Sequence, residues 1–193
     1  MAISLKKGQK VDLKKKDRTS LKRVCMGLGW DPVTPKGFFA KFFAFDSIDL
    51  DASCLLFDKN KKLVEIVFYG QLQSSDGSIT HTGDNRTGEG EGDDESIRVN
   101  LNQLPDNIYY LAFTINSFQG HTFDQVENAF CRLIDESTQQ EICRYTLSEK
   151  GKHKGVIMAV VSRTPSGWLL KAVGAPGQGR KASEIAPDVI AHL

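Results

Sequence analysis

Six of the twelve residues from Asp84 to Glu95 are carboxylates, set among glycines in the run Gly83-Asp-Asn-Arg-Thr-Gly-Glu-Gly-Glu-Gly-Asp-Asp-Glu95. Arg86 is the single cation, so the segment carries a net charge of −5. Two unit charges some 6 Å apart repel by roughly 2–3 kcal/mol at an effective dielectric near 20. A compact loop of this composition therefore needs neutralising from outside. Hard cations do this through carboxylate and carbonyl oxygens, and Gly88, Gly90 and Gly92 let the backbone fold tightly enough to turn carbonyls inward. The segment has no cysteine and only His81 lies nearby, which serves zinc poorly. Many flexible oxygen donors suit calcium best and magnesium second. One or two Ca2+ ions per chain are expected.

Two known loop types fail the comparison. An EF-hand over Asp84–Glu95 would put Arg86 at position 3, Gly88 at position 5 and Glu89 where the obligatory glycine belongs. A phosphate loop needs a lysine that Gly88-Glu-Gly-Glu-Gly92 lacks, and its glutamates repel phosphate. The bland alternative is a solvated acidic turn without metal. A second acidic element argues for the ion. In Ser47-Ile-Asp-Leu-Asp-Ala-Ser53, Asp49 and Asp51 are two apart, so on a strand they share a face, while Leu50 and Ala52 face the core. Asp31 closes Gly27-Leu-Gly-Trp-Asp31 and can reach the same end of a sandwich. The spacing thus groups Asp31, Asp49, Asp51 and the 84–95 loop at one rim.

Catalysis finds little support. The histidines at 81, 121, 153 and 192 show neither HExxH spacing nor clustering, and no nucleophile stands beside a base in a recognisable motif. Cysteines 25, 54, 131 and 143 form no CxxC pair, so they read as reduced thiols and not as a zinc or disulfide framework. Charge is segregated: residues 1–41 sum to +8, 46–106 to −8 and 107–193 to +1. The total of +1 gives no domain-wide nucleic-acid footprint, and nucleic acid is not an expected partner.

The elements that must hold these residues are strands. In Ser96-Ile-Arg-Val-Asn-Leu101 the apolar residues Ile97, Val99 and Leu101 alternate with Arg98 and Asn100. Further strands are expected near 2–6, 10–13, 21–29, 48–57, 62–69, 108–117, 129–135, 141–147, 155–163 and 167–174. Helix is expected only at Phe123–Asn128 and Ala182–His192, where Pro187 limits regularity. Many short strands between turns predict an all-β, two-sheet antiparallel sandwich, here a single domain over 1–193. With 40% apolar residues, no membrane-length apolar run and lysines where a signal peptide would be apolar, a cytoplasmic protein is expected. The segment 32–46 holds five of the eleven phenylalanines. Such density either caps an open end of the sandwich or offers an apolar patch to a partner or a membrane surface.

Gly27-Leu-Gly-Trp-Asp31, Asp49-Leu-Asp-Ala-Ser53, the acidic block 83–95 and Phe123-x-x-Val-x-Asn-Ala-Phe130 resemble the signature blocks of the TerD family of tellurium-resistance and general stress-response proteins. The resemblance runs over about residues 2–190. The Phe-rich insertion, Asn116-Ser-Phe and Val126-Glu-Asn-Ala-Phe-Cys131 are most similar to the TerZ branch. The resemblance implies a calcium-binding β-sandwich serving resistance to tellurite, phages and colicins. It carries oxygen-donor roles to Asp49, Asp51, Asp84, Asn85, Glu89, Glu91, Asp93, Asp94 and Glu95. Arg86 departs from the family pattern, where relatives often carry an apolar residue. The expected partners are calcium ions and other proteins of a tellurium-resistance assembly, with segment 32–46 meeting the inner membrane surface. The alternative is a metal-bridged binder or hydrolase of an anionic ligand such as a nucleotide or phosphate ester.

Overall fold

Strands form where aliphatic and polar residues alternate, because successive side chains of an extended chain point to opposite faces. The computed structural model describes residues 2–15, 19–32, 49–83, 92–117, 119–148 and 150–193. Twelve strands among them make two six-stranded sheets. The first sheet runs β1 (Ile3–Leu5), β10 (Gln140–Thr146), β9 (Val126–Asp135), β3 (Arg23–Pro32), β7 (Glu95–Asn100), β6 (Ile79–His81). The second runs β2 (Lys10–Asp12), β12 (Gly167–Gly177), β11 (Gly155–Thr164), β8 (Tyr110–Asn116), β4 (Asp51–Phe57), β5 (Leu63–Val67).

The two-sheet β architecture matches the sequence expectation, with three differences. β1 pairs with β10 in parallel, Ile3 opposite Cys143, while every other ladder between these strands is antiparallel. β6 is a strand of three residues with no alternation long enough to read; pairing of Ile79 with Val99 on β7 makes it one. The first expected helix shrinks to a 3-10 turn at Phe123–Gln125, whereas α1 (Ala182–Ile190) stays continuous through Pro187.

On β3, Val24, Met26, Leu28 and Trp30 are at most 2% exposed and join one apolar cluster with residues of both sheets. Their neighbours Cys25, Gly27, Gly29 and Asp31 take the opposite face. A second cluster lies on the outside of the second sheet, where Leu55, Phe57, Ala112, Ile157 and Val160 meet Ala182, Ile185, Ala186 and Val189 of α1. Burying a side chain of this size contributes about 1.5–3 kcal/mol, which holds a nine-residue helix in place although such a helix is marginal alone. All four cysteines are free thiols. The Phe-rich segment, apart from Pro32, lies outside the described residues, as do Asp84, Asn85, Gly88, Glu89, Gly90 and Glu91.

Candidate functional site

Both ends of the acidic loop are anchored on the first sheet. On the entering side, the Gly83 amide donates to His81 Nδ1 at 3.1 Å. Nδ1 is therefore the acceptor, and Nε2–H is left to donate. Nε2 lies 3.2 Å from Glu95 Oε2 and 3.2 Å from the Ala52 carbonyl. Glu95 Oε2 also accepts from the Ala52 amide at 2.7 Å. His81 and Glu95 are 2% and 1% exposed, so this is a buried clip from β6 and β7 on one sheet to β4 on the other. It brings the start of β4 and the start of β7 to the same rim.

On the leaving side, Arg132 grips Asp93 with a fork of 2.7 Å from Nε to Oδ1 and 3.1 Å from Nη2 to Oδ2, and Nη1 lies 3.3 Å from Glu141. The carboxylate of Asp93 rests over Gly27: a Cβ on that glycine would come within 2.1 Å of Oδ2. Gly29 gives the same room to the Phe130 ring, which the Arg144 guanidinium covers at 4.3 Å. The Gly-Leu-Gly pattern of β3 is thus explained by what lies across its outer face. The next residue is tied down twice. Asp94 donates its amide to the Leu28 carbonyl at 2.9 Å, and its Oδ2 accepts from the Trp30 amide at 2.7 Å.

Asp94 marks the electrostatic centre of the rim. Burial raises its carboxyl to about 6 despite the Trp30 hydrogen bond, and the neighbouring charges of Asp31, Glu95 and Asp93 push the same way. Asp31 is exposed and accepts from Asn128 Nδ2 at 2.8 Å. Asp49 Oδ2 accepts from Gln119 at 3.0 Å, while its Oδ1 is buried with no hydrogen-bond partner among the described residues. Among the described residues, no three His, Cys, Asp or Glu side chains converge into a group that could hold a metal ion.

The expected donors therefore divide. Asp31, Asp93, Asp94 and Glu95 gather at the tops of β3 and β7. Glu95 and Asp93 are engaged by protein groups, the first in the inter-sheet clip and the second by Arg132. Asp49 belongs to the same rim through the Ala52–Glu95 bond. Leu50 and Ala52 are fully buried and Asp51 takes the outer face of the second sheet, as the spacing predicts. There it is 5% exposed, lies opposite Asn116 in the ladder, and lines a cavity of about 290 Å3 with Asn116, Lys181 and Ser183. Sequence reasoning missed His81, Arg132 and Asn116. Polar residues at the end of an otherwise apolar run, Thr114 and Asn116 of β8, were the visible sign of Asn116.

A family model described as TerD domain matches residues 1–186. The chain is similar to the tellurium resistance protein TerZ of Serratia marcescens, with 45% identity over 99% of this chain and 98% of the relative. It is also similar to the stress response protein SCP2 of Bacillus subtilis, at 39% identity over 90% of this chain and 92% of the relative. Among solved structures, a Streptomyces coelicolor homologue of the telluride resistance protein TerD shares the fold. Its TM-score is 0.69 at 22% identity, covering 85% of this chain and 95% of that one.

Proposed function

The chain belongs to the TerD-domain family, whose relatives are named for tellurium resistance and stress response, and on that premise we propose that it is a calcium-binding, non-enzymatic module of such a response. The ion is held at the acidic rim. Its donors come from Asp84, Asn85, Gly88, Glu89, Gly90 and Glu91 of the loop, with Asp31, Asp49 and Asp94 from the strand ends. Glu95 and Asp93 hold the base of the loop for them. Asp51 serves elsewhere.

The observation that carries this reading is the 2.7 Å bond from the Ala52 amide to Glu95, which puts two acidic segments far apart in sequence on one rim. A lone buried carboxylate oxygen, Asp49 Oδ1, fits a cation in want of ligands, since buried charge is otherwise paired. Calcium relieves the mutual repulsion of the rim and orders a surface for partner proteins of a tellurium-resistance assembly, in the cytoplasm or at the inner membrane face. No helix among the described residues is long and apolar enough to cross a membrane.

Isothermal calorimetry of the metal-stripped full chain with calcium and with magnesium tests the reading. Saturable calcium binding with one or two ions per chain, tighter than magnesium, is expected. No heat at millimolar calcium overturns it.

A further inference from the structure

We infer that the cavity beneath the first turn of α1 binds a small zwitterion of α-amino acid type with an apolar or aromatic side chain. The inference goes beyond the calcium reading and does not depend on it. The cavity of about 290 Å3 sits at the low end of ligand pockets, which run from roughly 300 to 1,000 Å3, so its occupant has few heavy atoms.

One wall supplies donors. Ala182 and Ser183, the first two residues of α1, line the cavity, and their amides lie outside the helical hydrogen-bond ladder. Lys181 at the N-cap lines the same wall. Helix N-termini attract anions through such amides and the helix dipole. The floor supplies acceptors. Asn116 is 3% exposed; its Nδ2 donates to the Arg180 carbonyl at 2.8 Å, while its Oδ1 is buried without a hydrogen-bond partner. A buried amide oxygen left unmatched is destabilising, and a ligand N–H group removes that cost. Asp51, its cross-strand neighbour, adds a carboxylate to the floor.

The two polar ends are close together. Asn116 is bonded to Arg180, one residue before the N-cap of α1, so a ligand that meets both walls carries its cation and anion close together. An α-amino acid does so, with ammonium and carboxylate on one carbon. The remaining wall is apolar: Ile66, Phe68 and Tyr69. Phe68 and Tyr69 stand edge to face at 5.3 Å on a tight turn closed by reciprocal Phe68–Gln71 backbone bonds. Gly70 completes the turn, since a Cβ there would meet the Phe68 ring at 2.7 Å. This fixed aromatic wall receives the ligand's side chain.

The test is calorimetry on the metal-stripped full chain with L-phenylalanine, 3-phenylpropionate and 2-phenylethylamine. L-phenylalanine should bind one per chain, at least tenfold tighter than either singly charged analogue. Asp51→Asn should weaken L-phenylalanine at least tenfold and leave 3-phenylpropionate unchanged, a split that misfolding cannot produce. Tyr69→Ala, at a position 41% exposed, should weaken L-phenylalanine threefold or more while the melting temperature stays put. The proposal is overturned if L-phenylalanine gives no binding at millimolar concentration, if 3-phenylpropionate binds as tightly, or if both variants bind as wild type. It is also overturned if L-phenylalanine binds only with calcium, since an ion would then receive the carboxylate. Calcium binding without amino-acid binding leaves the rim reading intact and sinks this one alone.

Discussion

Asp94 and Asp135 sit at opposite ends of the first sheet and meet opposite fates. Burial pushes Asp135 up, but the hydroxyl and amide of Ser137, the Thr138 hydroxyl and the charge of Lys15 outweigh it and hold the carboxyl below its usual range. Burial also pushes Asp94 up, and there three neighbouring carboxylates add to it against the Trp30 backbone donor. The end of the sandwich lined by Lys15, Lys22, Arg23 and Arg98 satisfies its own acids. At the rim the carboxylates of Asp31, Asp93, Asp94 and Glu95 lie close enough to raise one another, and it is on that difference that the proposed cation site rests.

Removing Glu95 should break the contrast most severely. Glu95→Ala strands the Ala52 amide in a buried clip and leaves the His81 Nε2–H only the Ala52 carbonyl, at about 1–3 kcal/mol for the donor left unpaired. Urea unfolding should show the loss, and calcium affinity should collapse with the rim. A loss under 1 kcal/mol would mean that the sheets do not depend on this clip.

Calcium itself should sharpen the difference between the two ends. Free ion at a hundred times its Kd stabilises the native state by about 2.7 kcal/mol, which for a chain this long raises the Tm by roughly 2–4 °C per kcal/mol. Asp49→Ala should abolish most of that rise and Asp135→Asn none of it. Equal losses in the two variants would assign calcium binding to general charge.

Arg132→Ala should have a smaller effect. Its fork to Asp93 is partly exposed, so salt screens it and about 1 kcal/mol of stability is at stake, falling as ionic strength rises. Calcium affinity should drop with it because Asp93 holds the base of the loop. Unchanged affinity would detach Asp93 from the site altogether.

The smallest effect is on pH. Asp94 has a folded-state value raised to about 6, so the native state binds more protons than the unfolded chain between about pH 4 and 6. Metal-free protein should therefore lose stability as pH rises through that window, and Asp94→Asn should flatten the slope. Asp135 works the other way. Its folded value is lowered, so its stabilisation is complete above about pH 4 and disappears as acid protonates it in the native state. Melting curves of wild type, Asp94→Asn and Asp135→Asn without metal would separate the two.

The strands were legible because alternation is a local consequence of the extended backbone: Ile97 and Val99 inside, Arg98 outside, follows from three neighbouring residues. The acidic surplus of residues 84–95 was legible for the same reason, since charge density along a chain needs no fold to be counted. β6 was not legible, because three residues carry no period and only the pairing with β7 makes them a strand.

Which carboxylate meets which partner was decided by tertiary structure alone. Asp93 and Arg132 are 39 residues apart, and the register that sets Gly27 opposite Arg132 brings them together over a glycine. Asp51 lines one cavity with Ala182 and Ser183 of α1, from the far end of the chain, a neighbourhood that no local spacing announces. Sequence determined the alternating faces and the surplus of negative charge. The fold decided which of those charges are answered, because hydrogen bonds and burial are set by strand register and layer packing between segments that have no local knowledge of each other.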